Sequence, residues 1–178
     1  MIVHIRVCKF LMNKTAKHST GDYVVYPAHG VGQIKAIQTQ EIAGETLELL
    51  VVEFEKEKMT LRIPIAKVES AGLRSLSSKK DIQAAMKTLT GKVRIRRAMW
   101  SRRAQEYEAK INSGDPVAIA EVVRDLHRNA DQPDQSYSER QIYQSALERL
   151  TRELAAIDKI DEAAAEEKIV AQLRSVAA

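Results

Sequence analysis

The chain has too few cysteines for cross-links or for a zinc site built from several thiols. Cys8 is its single cysteine among 178 residues, and one thiol can form no internal disulfide. This usage is typical of the reducing cytoplasm, where we expect the protein to act. No uninterrupted apolar stretch approaches the ~20 residues that a membrane-spanning helix needs. We therefore expect a cytoplasmic globular protein without a membrane partner.

The chain also lacks the residue patterns on which most enzymes depend. No two histidines have the spacing that places two metal ligands on one helix face, and Cys8 has no neighbouring base. Gly91-Lys92 lacks both the earlier glycine and the following hydroxyl of a phosphate-binding GxxxxGK[ST] loop. We therefore expect no enzymatic activity, no cofactor and no metal site, and we interpret His29 as a turn residue. The histidines are His4, His18, His29 and His127.

Aromatic residues are scarce at 4%, and the one tryptophan, Trp100, lies within the densest positive charge of the chain. Residues 77–112 contain ten Lys and Arg against three Asp and Glu, a net charge of +7, whereas residues 113–178 carry −5 and residues 1–76 carry +2. A concentrated positive surface attracts phosphates over a Debye length of ~10 Å. This basic band indicates a nucleic-acid partner. A solvated helix face, neutralised by the acidic tail, is the alternative explanation.

The first residues, MIVHIRVCKFLM, are apolar with a few basic residues and lead to no small-residue cleavage site. That feature argues against a secretory signal peptide. We interpret residues 1–18 as a disordered extension or as the product of a mis-chosen start codon, with Met12 as the true initiator.

Residues 19–76 have the pattern of short β-strands separated by turns. The last predicted strand, Lys58–Pro64, alternates between apolar and polar residues, which places Arg62 on the outward face. It forms a predicted hairpin with the preceding strand around Lys56-Glu57. Because a small flat sheet would leave its edges unpaired, we expect a strongly bent antiparallel barrel. The predicted strands are Asp22–Pro27, Val31–Thr39, Leu47–Glu55 and Lys58–Pro64.

From residue 77 onward the apolar period changes to that of helices. Ser78, Asp115 and Asp161 are predicted helix caps, and Ser138 is the predicted cap of the longest helix, with Gln141 three residues on. The prediction is an α+β protein with a β domain of residues 19–76 and a helical domain of residues 77–178 that packs as a bundle. The first predicted helix follows the Ser78 cap and ends at Thr90. The next three run from Arg94 or Arg97 to Asn112, from Pro116 to Arg128 and from Ser138 to Lys159, and the last starts at Asp161.

Motifs in both predicted domains resemble one family. The run Gly21–Gly32 (GDYVVYPAHGVG) resembles the opening of the CarD family of bacterial transcription regulators, and Leu61–Pro64 is similar to a later strand of that family. Met99–Arg103 (MWSRR) resembles the family's tryptophan motif, and Glu121–Leu126 resembles a following helix. The first run alone would also fit the polymerase-interacting domain of the transcription-repair coupling factor. The match in both domains, in order, is specific for the CarD family.

The resemblance implies a Tudor-like (SH3-like) barrel that binds the β subunit of RNA polymerase, followed by a helical domain that contacts promoter DNA. Arg62 keeps the place of a docking arginine, whereas Gln40 stands where some relatives have a second one. This departure affects the strength of the polymerase contact. The implied RNA polymerase-binding residues are Arg62, Gln40, Thr60 and Pro64.

The resemblance also implies how the basic band acts. In the family a tryptophan at the position of Trp100 inserts into the minor groove at the upstream edge of the melted promoter, largely independently of sequence. We therefore expect Trp100 to be an exposed wedge, meaning a side chain that inserts at a distorted base step, and core packing with Tyr107 is the alternative. The implied DNA-binding residues are Trp100, Arg102, Arg103, Arg96, Arg97, Arg94 and Lys92.

Two hypotheses follow for the whole protein. The first is a monomeric, nucleoid-associated transcription regulator that stabilises the promoter open complex. The second is a protein-interaction adaptor on RNA polymerase, in which the basic band binds another protein and makes no direct contact with DNA.

Overall fold

A computed structural model describes residues 18–42, 45–93, 98–128 and 135–175. The described elements are strands followed by helices, which confirms the α+β class. The predicted extension lies, up to residue 17, outside the described residues, and the division into two domains stays a prediction. The strands are β1 (Tyr23–Tyr26), β2 (Gly30–Ile42), β3 (Glu45–Phe54), β4 (Met59–Pro64) and β5 (Arg74–Ser75), with a 3-10 helix at Ile65–Lys67 before β5. The helices are α1 (Lys79–Leu89), α2 (Trp100–Asn112), α3 (Pro116–Leu126), α4 (Tyr137–Asp158) and α5 (Glu162–Arg174).

The strands form one antiparallel sheet in the order β4-β3-β2-β1-β5. A bulge between Ile34 and Ala36 shifts the register of β2 against β3, and such bulges bend a sheet and increase its twist. The bent sheet encloses a core so tightly that a Cβ added at Gly32 would lie 2.7 Å from the Phe54 ring. The buried residues of this core are Val24, Ile34, Leu50, Val52, Phe54, Ile63, Val68 and Leu73.

The hairpin of β3 and β4 confirms the predicted alternation. Ile63 is buried and Arg62 is exposed, so the two side chains of neighbouring residues point to opposite faces. The chain reverses through residues 55–58, where Lys58 adopts a left-handed φ of 48°. Its backbone N–H donates to the carbonyl of Glu55 at 3.3 Å.

Three predicted helix starts are confirmed by their caps. The Ser78 hydroxyl accepts a hydrogen bond from the Asp81 N–H, and the Asp81 carboxylate accepts one from the Ser78 N–H. The Asp115 carboxylate accepts from the N–H of Val117 ahead of α3, and Asp161 has the same role ahead of α5. Each carboxylate or hydroxyl satisfies a donor that has no partner within its own helix.

The predicted cap of α4 is wrong. Ser136, not Ser138, caps this helix, and its partner in the capping box is Glu139 rather than Gln141. Both pairs have the serine and the acid or amide that the motif requires. The glutamate prevails here, and its negative charge at the helix start also interacts favourably with the helix dipole.

The predicted start of α2 is also wrong. The helix begins at Trp100 instead of Arg94 or Arg97, and residues 94–97 lie outside the described residues. Met99 precedes the helix with an extended ψ of 144° and provides no side-chain cap. The helix therefore starts where a tertiary contact begins, because the Trp100 ring packs against the helical core. At the end of α3, the helix stops at Leu126, two residues before the predicted end.

Helix α3 is central to the helical domain and packs against α1, α2 and α4. Its apolar stripe is wide enough to be covered on several sides, which explains why most of its residues are buried. None of the helices in the described ranges is long and apolar enough to span a membrane. The buried residues of this core include Ile82, Leu89, Tyr107, Ile111, Ile119, Val122, Val123, Leu126, Ile142, Leu147, Leu150, Leu154, Ile169 and Leu173.

Helix α4 also binds the turn between β1 and β2. The guanidinium of Arg149 donates to the carbonyl oxygens of Pro27 and Ala28. Burial lowers the pKa of Arg149, although the nearby Glu57 carboxylate opposes that shift. The turn that the sequence marks with proline and glycine is therefore held against the helical domain by a cation.

Two ion pairs join the same helix to the β domain. Arg74 of β5 pairs with the buried Glu153, at 2.7 Å between Nη1 and Oε1. Lys56, in the turn between β3 and β4, binds Glu148 at 3.0 Å and Glu162 of α5 at 2.7 Å. These contacts fix the orientation of the helical domain relative to the sheet.

Candidate nucleic-acid interface

Trp100 lies partly buried at the first position of α2, against the helical core. Its ring contacts that of Tyr107, two turns further along, with 6.4 Å between ring centroids and an interplanar angle of 50°. Tyr107 is only 7% exposed and belongs to the core itself. The prediction of an exposed Trp100 is therefore corrected, because one side of the ring is covered by its own helix.

Arg103 covers the same aromatic pair. Its guanidinium carbon lies 5.5 Å from the centroid of the Trp100 ring and 5.8 Å from that of Tyr107. Both distances are within the ~6 Å at which a cation interacts with a ring face. The Nε and Nη2 atoms of Arg103 are buried and have no hydrogen-bond partner among the described residues. Arg103 is therefore directed at the rings in this structure.

The other predicted contacts differ from Arg103 in exposure. Arg102 is 79% exposed, and its nearest acidic group is the Glu106 carboxylate at 3.9 Å. Lys92 is also exposed, whereas Arg94, Arg96 and Arg97 lie outside the described residues. The first turn of α2 contains no acidic residue, and the start of a helix is the positive end of its dipole. This end of α2 is therefore suited to a negatively charged partner.

Met99 is a surface residue that the sequence reasoning did not single out. It immediately precedes Trp100 and is 79% exposed, the largest exposure among the large apolar side chains of the described residues. Its position between a basic residue run and the tryptophan is visible in the sequence, but its exposure is not. Trp100 and Met99 thus present a partly covered ring and a fully accessible thioether side by side.

The predicted polymerase-binding residues lie together on the outer face of the β sheet. Thr60, Arg62 and Pro64 alternate along β4 and therefore point to one face. In the register, Pro64 lies opposite Leu49 and Arg62 opposite Val51. Residues directly opposite each other in an antiparallel pair share a face, so β3 continues the same surface.

Gln40 joins this surface from the far side of β3. It pairs with Leu47 of β3, which shares the face of Leu49 and Val51 because strand side chains alternate. Gln40 therefore lies two strands away from Arg62, roughly 10 Å across the sheet and about 13 Å along it. We call Thr60, Arg62, Pro64 and Gln40 the docking face. The structure brings these four residues to one side of the sheet, and whether they bind polymerase stays a prediction.

The sequence reasoning missed the apolar centre of the docking face. Leu49 and Val51 are 5% and 7% exposed and do not belong to the inner core, which Leu50 and Val52 join instead. Strand β3 is therefore buried on both faces over this stretch. The signal was the uninterrupted run LLVV in the sequence, which is typical of a strand covered on both sides.

The described residues contain no group of three or more His, Cys, Asp or Glu side chains that could hold a metal ion. His29 lies in the turn before β2, where its Nδ1 is 2.5 Å from the Glu57 carboxylate and its ring stacks on Tyr26 at 5.6 Å. These contacts fit the interpretation of His29 as a turn residue.

Two family models match the chain, one in each half. The model "CarD-like/TRCF RID domain" matches residues 18–77, and the model "CarD, C-terminal domain" matches residues 84–170. A protein named "Putative transcription factor YdeB", from Bacillus subtilis (strain 168), is 32% identical over 142 residues, which cover 80% of this chain and 93% of that protein.

A solved structure is also similar to part of the chain. It is the solution NMR structure of the 72-residue N-terminal domain of Myxococcus xanthus CarD. The match has 35% sequence identity and a TM-score of 0.29, and it covers 32% of this chain and 76% of that one.

Proposed function

The chain belongs to the CarD family, and on that premise we propose that it is a transcription regulator that acts on RNA polymerase. Its β domain binds the polymerase β subunit through the docking face. Its helical domain contacts promoter DNA in the minor groove at the upstream edge of the melted region. The protein thereby stabilises the open complex, without a cofactor and without catalysis of its own.

The observation that carries this proposal is the arrangement at the start of α2. Trp100 is partly exposed there beside the exposed Arg102, and the helix start has no acidic residue. Stacking of an aromatic ring on an accessible base contributes ~1–3 kcal/mol at single-stranded sites. A contact of that size, made only with melted DNA, would shift the equilibrium toward the open complex about 5- to 150-fold.

The positive charge supplies affinity rather than sequence recognition. Arg102 and Lys92 are placed to neutralise phosphates, and such contacts release counterions from any DNA sequence. A few phosphate contacts bind weakly by themselves. Binding of the docking face to polymerase raises the effective concentration of the helical domain at the promoter, so each domain depends on the other.

The adaptor hypothesis gains support from the partial burial of Trp100. A ring that already packs on Tyr107 offers less surface to DNA than a freely exposed one. In that case Met99 and Arg102 would form part of a protein-binding surface, and the basic band would contact an acidic partner instead of phosphates.

The lifetime of the open complex on one promoter distinguishes the two hypotheses. We expect the protein to lengthen this lifetime and Trp100→Ala to abolish most of the gain, while binding to polymerase in a pull-down stays unchanged. An equal lifetime with the wild type and Trp100→Ala would exclude the DNA-contact proposal and favour the adaptor.

Docking is tested separately with Arg62→Glu. Because Arg62 is exposed on the docking face, reversal of its charge is expected to weaken polymerase binding and leave folding intact. Arg140→Glu, which makes the same charge reversal at an exposed position on α4 outside the docking face, is the matched control. If Arg62→Glu binds polymerase normally, the docking surface lies elsewhere on the β domain.

A further inference from the structure

Arg102 and Arg103 are adjacent in sequence, yet their side chains have different surroundings. Arg102 is 79% exposed, and the Glu106 carboxylate, at 3.9 Å, is its nearest acidic group among the described residues. Arg103 is partly buried and lies over the rings of Trp100 and Tyr107. A helix separates successive residues by about 100° around its axis, so only one of two neighbouring arginines can share the face of Trp100.

The spacing of the three stacked residues explains this choice. Arg103 follows Trp100 by three residues and precedes Tyr107 by four, and side chains at these spacings are neighbours on a helix surface. The guanidinium plane therefore lies against both rings at once. The negative faces of aromatic rings attract a cation, and arginine is suited to stacking because its guanidinium is planar and weakly hydrated.

The buried nitrogens of Arg103 also support a role at the aromatic rings. Nε and Nη2 are buried without a hydrogen-bond partner among the described residues. Buried N–H donors normally find an acceptor, because an unmade bond costs stability. Here the guanidinium carbon lies 5.5 Å from the Trp100 ring centroid and 5.8 Å from that of Tyr107. An arginine that served only as a phosphate contact would gain nothing from this partly buried placement.

We propose that Arg103 is a positioning residue, which together with the buried Tyr107 holds the Trp100 ring in one orientation before DNA binds. This inference rests on the proposed contact of Trp100 with melted DNA. A ring that is already ordered loses less conformational freedom on binding than a mobile one. Arg102, in contrast, remains the phosphate contact. The two adjacent arginines thus have separate roles.

The test uses the single tryptophan of the chain as its own probe. In Arg103→Lys the positive charge is kept and the planar group is lost, while Arg102→Lys makes the same change one residue away. Acrylamide quenching of Trp100 fluorescence is measured in the full-length protein without DNA. We expect Arg103→Lys to increase the quenching constant and Arg102→Lys to leave it unchanged.

The same variants are then compared for open-complex lifetime at several salt concentrations. We expect Arg103→Lys to shorten the lifetime about 2- to 30-fold, the range that corresponds to the loss of one cation–π contact, without a change in salt dependence. Arg140→Lys, which makes the same change at an exposed position on α4, is the control for this measurement and should retain the wild-type lifetime. Unchanged quenching in Arg103→Lys would overturn the proposal, because the guanidinium would then not order the ring. A full lifetime together with a reduced salt slope in Arg103→Gln would also overturn it and would show that Arg103 binds phosphate.

The fluorescence measurement keeps this inference separate from the proposed function. If Trp100→Ala has no effect on the open-complex lifetime, the proposed DNA contact is wrong, independently of the role of Arg103. Quenching in the free protein still reports whether Arg103 orders the ring, and an unchanged value contradicts the positioning role. Circular dichroism at 222 nm and the midpoint of thermal unfolding establish that each variant is folded.

Discussion

Arg74 and Glu153 are 79 residues apart in sequence and form the most completely satisfied ion pair between the β domain and α4. The two guanidinium nitrogens bind the two carboxylate oxygens, at 2.7 Å for Nη1 and 2.9 Å for Nη2. The backbone N–H of Ser77 also donates to Glu153, at 3.0 Å, and Arg74 donates to the carbonyl of Gly114. The side chain of Glu153 is 3% exposed and that of Arg74 is 30% exposed, so the carboxylate is shielded from water and the guanidinium is partly accessible.

Removal of one partner of this pair is expected to destabilise the protein strongly. Arg74→Met leaves the buried Glu153 carboxylate without its counter-charge, and such changes cost about 3–5 kcal/mol. Replacement of both residues, in Arg74→Met with Glu153→Leu, should cost less than the sum of the single changes. Urea unfolding of the four proteins of this double-mutant cycle measures the difference.

A surface ion pair provides the control for that cycle. Lys168 and Asp158 are 3.0 Å apart and much more exposed, at 51% and 33%. Removal of either partner is expected to change the free energy of unfolding by at most about 1 kcal/mol. Additive losses in the Arg74 and Glu153 cycle would mean that the two groups do not stabilise each other.

The ion pair of Lys56 with Glu148 makes the free energy of unfolding depend on pH at both acidic and alkaline pH. Its hydrogen bond with Glu162 raises the pKa of Lys56, and partial burial opposes the shift. Burial works to raise the pKa of Glu148, but the hydrogen bond from Lys56 and the charge of Arg152 outweigh it and lower that pKa. The Lys56 contribution is therefore complete below the ordinary lysine pKa of roughly 10.4 and is lost as pH rises through the raised value. The Glu148 contribution is present above the ordinary glutamate pKa of roughly 4.3 and is lost as pH falls through the lowered pKa of Glu148.

We therefore expect Lys56→Met to be less stable than the wild type from about pH 5 to pH 10 and to approach it outside that window. Both partners are partly exposed, so the difference at pH 7 should be about 1 kcal/mol or less. Unfolding free energies at pH 3, 7 and 11 measure it. An equal difference at all three values would mean that packing of the alkyl chain, and not charge, is the cause.

Ser136 and Ser138 allow a test of the α4 cap within one tripeptide. The Ser136 hydroxyl accepts from the Glu139 N–H at 3.3 Å, so Ser136→Ala should lower the free energy of unfolding by about 1 kcal/mol. Ser138→Ala is the matched control and should have little effect. A larger loss for Ser138→Ala, measured by thermal unfolding, would return the cap to the position predicted from the sequence.

Arg102 should contribute one phosphate contact to DNA binding. Arg102→Gln is expected to reduce the slope of log affinity against log salt concentration by about 0.9, the value for one phosphate on duplex DNA. Arg140→Gln removes the same charge from an exposed position on α4 and should leave the slope unchanged. Fluorescence anisotropy with a labelled promoter fragment in the presence of polymerase gives both slopes.

Sequence signals were sufficient for most features that depend on neighbouring residues, and the cap of α4 is the exception, because two local serine motifs competed there. The caps Ser78, Asp115 and Asp161 satisfy donors two or three residues away, so their residue types are informative without any tertiary context. The alternation in β4 likewise predicted the outward direction of Arg62, because the side-chain period of a strand is set by its own backbone. The family motifs could point to the candidate DNA and polymerase contacts because each motif is a short run of neighbouring residues.

Long-range contacts decided the rest. The start of α2 at Trp100 depends on where its ring can pack, and the different surroundings of Arg102 and Arg103 depend on which helix face meets the core. The pairing of Arg74 with Glu153 could not be read from either local sequence, although a glutamate between Leu150 and Leu154 on an apolar face was a visible irregularity. By itself the sequence therefore determined the order of the elements, three of the four predicted caps and the residue types at the site. Only the tertiary structure decided which charges are buried, because burial depends on contacts between residues far apart in the chain.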